Sequence, residues 1–408
     1  MKLLTVDTLA EAREKLLTKV KPISCASEKV PLELSSNRIL AEDAFVSCDI
    51  PGFRRATVDG YALLASDTAA AGETIPVFLK QTGAVQMGKI AACSVRPGEC
   101  VSVPTGGMLP DGADAVAMLE FCESAGGSVA VYEAVAPGAG VAEAGEDIRF
   151  GELLLRGGTR IRPQETGLLA AAGITSVPVF SPPRLTLIST GDELVPPEQN
   201  PAPGEIRDIN TRVLANLALR RGYSVVSTLL IPDNFDRLET AIREAMPVSD
   251  VVAVSGGSSQ GEKDVTAAAI NRTAKPGVFT HGLALKPGKP TILGWDEESR
   301  TLLAGLPGHP VSAMMVFELI FGWLHDELFN APPPFPVPAR ISTNIPGSPG
   351  RTLCQPVILK LEGSEYLAEP VFGKSGMITT LTNASGYIML DLNKEGLKKG
   401  EQVLVYLF

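Results

Sequence analysis

The sequence predicts a multidomain α/β protein: a central three-layer α/β domain, a parallel sheet covered by helices on both faces, flanked by small β domains and an N-terminal piece. Three observations carry this. The chain has 408 residues, beyond the size at which one hydrophobic core keeps growing, so about two to four domains are expected. Two proline-rich stretches, VPVFSPP at 177–183 and APPPFPVP at 331–338, interrupt it, and neither can continue a helix or a central strand. Between them apolar strand-like runs alternate with helical periodicity, the pattern of parallel strands joined by right-handed crossovers.

Element by element, Thr8 and Glu11 form a capping-box pattern that starts a helix, with Leu9, Leu16, Leu17 and Val20 on its apolar face. Residues 51–139 are rich in Gly, Val, Ala and Pro and carry short strand-like pieces such as Thr74–Leu79 and Cys100–Val103, the signature of an inserted β domain. The short apolar helix in Arg162–Gly173 groups with the N-terminal helix, so 1–50 and 140–177 form one discontinuous region. Residues 178–330 hold the alternation. It runs strand Arg184–Thr190, helix Asn210–Arg221, strand Ser224–Ile231, helix Asp236–Ala245, strand Asp250–Ser255, helix Asp264–Arg272, strand Thr301–Leu306 and helix Pro310–Leu328. Residues 331–408 return to short strands, ending in EQVLVYLF, and are expected to form a C-terminal β-barrel.

Composition excludes several classes. The chain is 45% hydrophobic and 20% charged, as ordered globular proteins are. No apolar run reaches the ~18 residues of a membrane span, and the best candidate, Ala313–Leu324, is broken by Glu318. A net charge of −10 argues against a nucleic-acid partner. The N-terminus carries Asp7, Glu11 and Glu14 where a secretory peptide would be apolar or basic. Six scattered cysteines without a CxxC pair fit a reducing cytoplasm, and three histidines are too few for a His-rich metal site. Any metal would take oxygen ligands and resemble Mg²⁺.

In an open parallel sheet, ligands sit beyond the carboxyl ends of the strands. The loops expected there are STGDEL (189–194), SGGSSQGEKD (255–264), LKPGKP (285–290) and LPGHPVS (306–312). Gly256, Gly257 and Gly261 let backbone N–H groups approach an anion, and Ser255, Ser258 and Ser259 add hydroxyl donors, although the same glycines also suit tight turns. Neither a Walker P-loop nor a GxGxxG fingerprint is present. Pro307, Gly308, His309 and Ser312 surround a helix start at Pro310, which favours negative charge. Lys286 and Lys289, held in a Pro-Gly turn, are candidates to neutralise phosphate or another oxyanion. Asp192, Glu193, Asp208, Asp233 and Asp264 set carboxylates beside these donors, where they can hold Mg²⁺ or orient water; Asp264 equally suits a helix cap. In the N-terminal half, Asp59 in RRATVDGYAL and Thr105 in VPTGGMLPDGADAVAMLE stand in turns too polar for filler.

The ordered series DGYA, PTGGMLPDGADAV, GEDI, STGDEL, GEIRDIN, SGGSSQGEKD, LKPGKP and LPGHPVSA resembles the MoeA and gephyrin E-domain family from about residue 5 to the C-terminus. The resemblance implies an elongated four-domain homodimer whose α/β domain is similar to MogA-type enzymes. It also implies an active-site cleft shared with the DGYA-bearing domain of the other subunit. The implied reaction inserts molybdate into molybdopterin adenylate with Mg²⁺-dependent release of AMP, yielding molybdenum cofactor. By motif it carries catalytic roles onto Asp59, Thr105, Glu193, Asp233, Asp264, Lys286 and Lys289, with Glu193, Asp233 and Asp264 as metal ligands. Substrate-binding roles fall on Asp147, Ser255, Gly256, Gly257, Ser258, Gly261, Pro307, Gly308, His309, Ser312 and Ser375. A MogA-type adenylyltransferase and cofactor-accepting molybdoenzymes are the implied partners. Two departures stand out: His309 occupies a position where the family commonly has Asn, and Ala56-Thr57-Val58 precedes DGYA instead of Ser-Ala-Met. A scaffolding relative, as the gephyrin E domain is, a tungstate-inserting homologue and a MogA-type adenylyltransferase are the alternatives.

Overall fold

The structure, a computed structural model, describes residues 6–20, 26–256, 262–331 and 334–408, the side chains of 262–264 excepted. Its contacts divide the chain into a larger unit, Met1–Glu28, Asn37–Ile39 and Phe180–Phe408, and a smaller one, Lys29–Ser36 and Leu40–Val179.

The larger unit is built on a six-stranded sheet in the spatial order Ser224–Ile231, Arg184–Thr190, Val251–Gly256, Thr301–Leu306, Ile292–Asp296, Pro276–His281. The first four run parallel, in the registers Arg184 to Ser224, Leu185 to Val251 and Val251 to Leu302. The three inner ones are buried almost throughout, and their side chains alternate between two cores with the two-residue period of a strand covered on both faces. Leu185, Leu187, Val251, Ala253, Leu302 and Ala304 face one core with helix residues Leu214, Leu217, Phe317 and Phe321. Ile188, Val252, Val254 and Leu303 face the other, with Leu238, Ile242 and Ile270. Helices Asn210–Arg220, Phe235–Ala245 and Glu262–Thr273, and a final one starting at Pro310, cover the sheet.

One expectation is corrected: the sheet is mixed. Ile292–Asp296 runs antiparallel to both neighbours, so Pro276–His281 points the same way as the parallel strands. The ten residues between Pro276–His281 and Ile292–Asp296, with Gly282, Pro287, Gly288 and Pro290 among them, are too few for a crossover helix, which takes a dozen residues or more. The lysine-bearing turn is therefore a connection between antiparallel neighbours, still at the carboxyl edge.

The final helix is continuous from Pro310 to Leu328 but passes through a π-helical segment, Phe317–Gly322. There Arg13 donates to the Leu319 carbonyl at 2.7 and 3.1 Å and lies 4.8 Å from the Trp323 ring centre. Buried Glu318 accepts from Arg220 at 2.6 Å and from Arg221. The predicted capping box of the N-terminal helix, Leu9–Lys19, is present. Leu9, Ala12, Leu16 and Val20 are buried with Leu185 and Phe317, whereas Leu17, one residue past Leu16 and so about 100° round the helix, is 48% exposed. That core differs from the one holding Leu169 of helix Pro163–Ala171, the helix the sequence pattern groups with the N-terminal one.

Residues beyond Val337 close a small barrel: Thr352–Glu362, Glu365–Pro370, Val337–Ile341, Gln402–Leu407 and Gly386–Leu390 follow one another, and the last pairs back onto the first. Leu285–Lys286 of the α/β domain adds to this barrel parallel to Thr352–Leu353.

In the smaller unit a six-stranded sheet runs Ala115–Met118, Gly60–Leu63, Glu99–Val103, Val77–Ala84, Ser128–Val131, Cys122–Ala125. The strand expected at Thr74–Leu79 begins only at Val77, because Gly72 and Ile75 pair in a turn before it. Val30, Leu40, Val46, Ile161, Leu169 and Val179 form a separate core.

Candidate active site

The carboxyl edge of the α/β sheet is held by a buried polar network. Ser189, the penultimate residue of the Arg184–Thr190 strand, contacts Asp208 at 3.2 Å and Thr211 at 2.9 Å, and Asp208 accepts the Thr211 backbone N–H at 3.2 Å. Asn210, the first residue of its helix, donates from Nδ2 to Ser255 Oγ at 2.9 Å and to the Gly308 carbonyl at 2.6 Å. One amide thus ties the Gly-Ser loop start to the LPGHP turn. Buried polar groups demand such partners.

Two cavities open here. The first, about 220 Å³, is lined at the strand ends by Thr190, Asp233, Asn234, Gly256, Thr266, Pro307 and Gly308. The second, about 490 Å³, lies between the α/β domain and the barrel and shares Pro290 and Pro307 with the first. Lys286, Lys289, His309, Ser312, Arg351 and Ser375 line it. His309 Nδ1 and Ser375 Oγ are 2.8 Å apart, and the Ser375 carbonyl accepts the Val311 backbone N–H at 3.2 Å. Barrel and helix start are thus joined at the cavity wall. Gly288 sets the lysine turn: its φ is +123°, and a Cβ there would stand 2.7 Å from Val316 and 2.8 Å from Leu285. Both lysines are exposed, so their ammonium groups stay hydrated.

Of the predicted residues, Lys286, Lys289, Pro307, His309, Ser312 and Ser375 share the larger cavity, and Asp233, Gly256, Pro307 and Gly308 the smaller. Ser255 is buried just behind, 4% exposed. Glu193 lines neither and instead folds back toward Gly191. Asp192 accepts the Asp233 backbone N–H at 3.1 Å. Gly257, Ser258, Gly261 and the Asp264 side chain lie outside the described residues. Among those described, no three His, Cys, Asp or Glu side chains cluster as a metal site; the expected set of Glu193, Asp233 and Asp264 includes one member outside the described side chains.

In the smaller unit, Asp59 and Thr105 are brought together. Asp59 Oδ1 accepts the Thr105 backbone N–H at 2.7 Å and its hydroxyl at 3.0 Å. The N–H first, and then the hydroxyl, hold this carboxyl below the usual range. Asp147 lies on another turn, its N–H donating to the Ile50 carbonyl at 3.1 Å.

Sequence reasoning missed Asn210 and Arg351. Asn210 sat inside the GEIRDIN motif, but its role shows only when two strand ends meet. Arg351 follows a Ser-Pro-Gly turn and carries no local signal.

Three family models match: the MoeA N-terminal region (domain I and II) over residues 7–173, a probable molybdopterin binding domain over 186–326, and the MoeA C-terminal region (domain IV) over 338–408. The molybdopterin molybdenumtransferase of Bacillus subtilis is 32% identical, covering 93% of this chain and 90% of that protein. The Haemophilus influenzae molybdopterin molybdenumtransferase is 29% identical, with 98% of each covered. Two structures of the molybdopterin biosynthesis MoeA protein from Pyrococcus horikoshii superpose with TM-scores of 0.82 and 0.79 at 37% and 30% identity. They match 99% of this chain and 99% and 100% of their own. With motifs, fold and relatives in agreement over nearly its whole length, the chain belongs to the MoeA family of molybdopterin biosynthesis proteins.

Proposed function

We propose that this protein is a molybdopterin molybdotransferase of molybdenum cofactor biosynthesis, inserting molybdate into molybdopterin adenylate with release of AMP. The observation that carries the reading is the pair of adjoining cavities. One is walled by Thr190, Gly256 and Gly308 at strand ends that suit phosphate, and the other holds Lys286, Lys289 and Arg351 in a space that suits a tetrahedral oxyanion. The cations would bind molybdate and offset negative charge as the phosphoanhydride breaks, and the network through Asn210 keeps both walls in register.

The family resemblance adds Mg²⁺, for which Asp233 at the rim of the smaller cavity, with Glu193 and Asp264, is the proposed oxygen donor set. Bound there, the ion would screen phosphate charge. We infer also a cytoplasmic homodimer, checked by sedimentation, that receives its adenylate from a MogA-type adenylyltransferase and passes the cofactor to molybdoenzymes. No described helix is long and apolar enough to cross a membrane.

The test is AMP release from molybdopterin adenylate in the presence of molybdate. Lys286→Ala and Lys289→Ala should each lower the rate by about a hundredfold, the usual effect of deleting one oxyanion-stabilising group. Near-normal turnover in both, with the fold intact, would exclude the oxyanion reading of the larger cavity.

A further inference from the structure

Among the described residues, the larger cavity is lined by one imidazole, that of His309. Its titratable lining is Lys286 and Lys289 from the turn, Arg351 just before the barrel's long strand and Cys354 within it, and His309 from the helix start. Lysine and arginine remain cationic far above neutrality. Burial pushes the Cys354 thiol up to about 12, so it stays neutral. No carboxylate is among the described lining residues, and the barrel segment against His309 contributes Ser375, with exposed Lys374 beside it in sequence. An ordinary imidazole titrates near ~6.5.

The ring's position is fixed from one side. His309 Nδ1 is 2.8 Å from Ser375 Oγ, and Gly376 lies beside the other ring edge, where a Cβ would come within 3.7 Å of Cδ2. The ring is exposed and lines the cavity, so it faces the space shared with the lysines and Arg351. A neutral imidazole offers that space one acceptor or one N–H, whereas an imidazolium offers a charge-assisted donor.

We propose that His309 is a proton-controlled ligand of the oxyanion site, its cationic form joining Lys286, Lys289 and Arg351 on a bound tetrahedral dianion, with Ser375 holding the ring in place. This rests on the oxyanion reading of the larger cavity. By linkage, binding the dianion takes up a proton, and affinity falls as pH rises through the imidazole's range. An asparagine, the residue common here in the resembled family, would bind without that dependence.

The test is calorimetric binding of inorganic sulfate, a dianion throughout, and of micromolar molybdate to the full chain between pH ~6 and ~8. The parent protein should bind about tenfold more tightly at the lower pH, the equivalent of one pH unit on the imidazole. In His309→Asn and His309→Gln the dependence should flatten, with affinity near the parent's high-pH value. Ser375→Ala should keep the dependence but weaken binding at both ends. Persistence of the full pH dependence in both His309 variants, or its absence from the parent, overturns the role of His309 while leaving the oxyanion site intact. Failure of the parent to bind either anion at any pH overturns both readings.

Discussion

At the scale of single residues, Asp59 and Thr105 show how little apparatus a perturbed carboxylate needs. Two donors from one threonine depress the Asp59 pKa although the group is exposed. Its folded value lies below the ordinary 3.8, so the stability it contributes is present above that value and lost as pH falls through the lower one. Thr105→Ala removes the hydroxyl but keeps the N–H, so the Asp59 carboxyl should move only part of the way back, as read by NMR titration. A full return would assign the effect to the hydroxyl alone. Glu318 presents the opposite case. In the sequence it was only an interruption of an apolar run; folded, its side chain is 2% exposed between Arg220 and Arg221. Removing one partner of a buried ion pair strands the other charge, so Glu318→Ala should cost about 3–5 kcal/mol, less to the extent that water reaches the half-exposed arginines. Denaturant unfolding measures it, and a loss under about 1 kcal/mol would mean that the arginines find water instead.

At the scale of elements, the turn from Leu285 to Pro290 couples three parts of the fold. It connects antiparallel strands of the sheet, pairs with Thr352–Leu353 of the barrel, and carries both lysines into the cavity. Gly288→Ala would force a methyl against Val316 and Leu285 at a φ that L side chains avoid. The expected result is a still-folded protein with molybdate affinity reduced about tenfold and stability lower by about 1–3 kcal/mol. Unchanged binding would show that the turn does not position the lysines. This element also marks where sequence reading stopped. Strand and helix periodicity placed the parallel strands to within a residue of their observed ends, because buried β-branched runs and capped helices announce themselves locally. The Pro276–His281 and Ile292–Asp296 strands carry no such signal, because glycine and proline break their pattern into pieces that read as loop.

At the scale of the molecule, each compact unit has hydrophobic cores of its own, which makes their unfolding separable in principle. Gly60 offers a selective probe. A Cβ there would stand 1.9 Å from the Ala117 carbonyl oxygen, backbone against backbone, so Gly60→Ala should disrupt the sheet of the smaller unit. Calorimetry should then show one transition lowered and another kept near its parent temperature, whereas a single transition shifting as a whole would show that the units unfold together.

What the sequence determined by itself was whatever short-range chemistry encodes: the alternation of the α/β domain, the N-terminal capping box, and the run of motifs that marks the family. It also supplied Lys286, Lys289, His309 and Ser375 as candidates, without saying that they meet. Only the tertiary structure decided that Ser375, 66 residues after His309, closes on it, that Asn210 bridges Ser255 and Gly308, that Arg351 enters the lysine cavity, and that Glu193 lies against Gly191 and lines neither cavity. The reason is physical. Propensity, capping and periodicity act over a few residues, whereas a cavity wall is assembled from chain segments brought together by burial of cores that no local pattern describes.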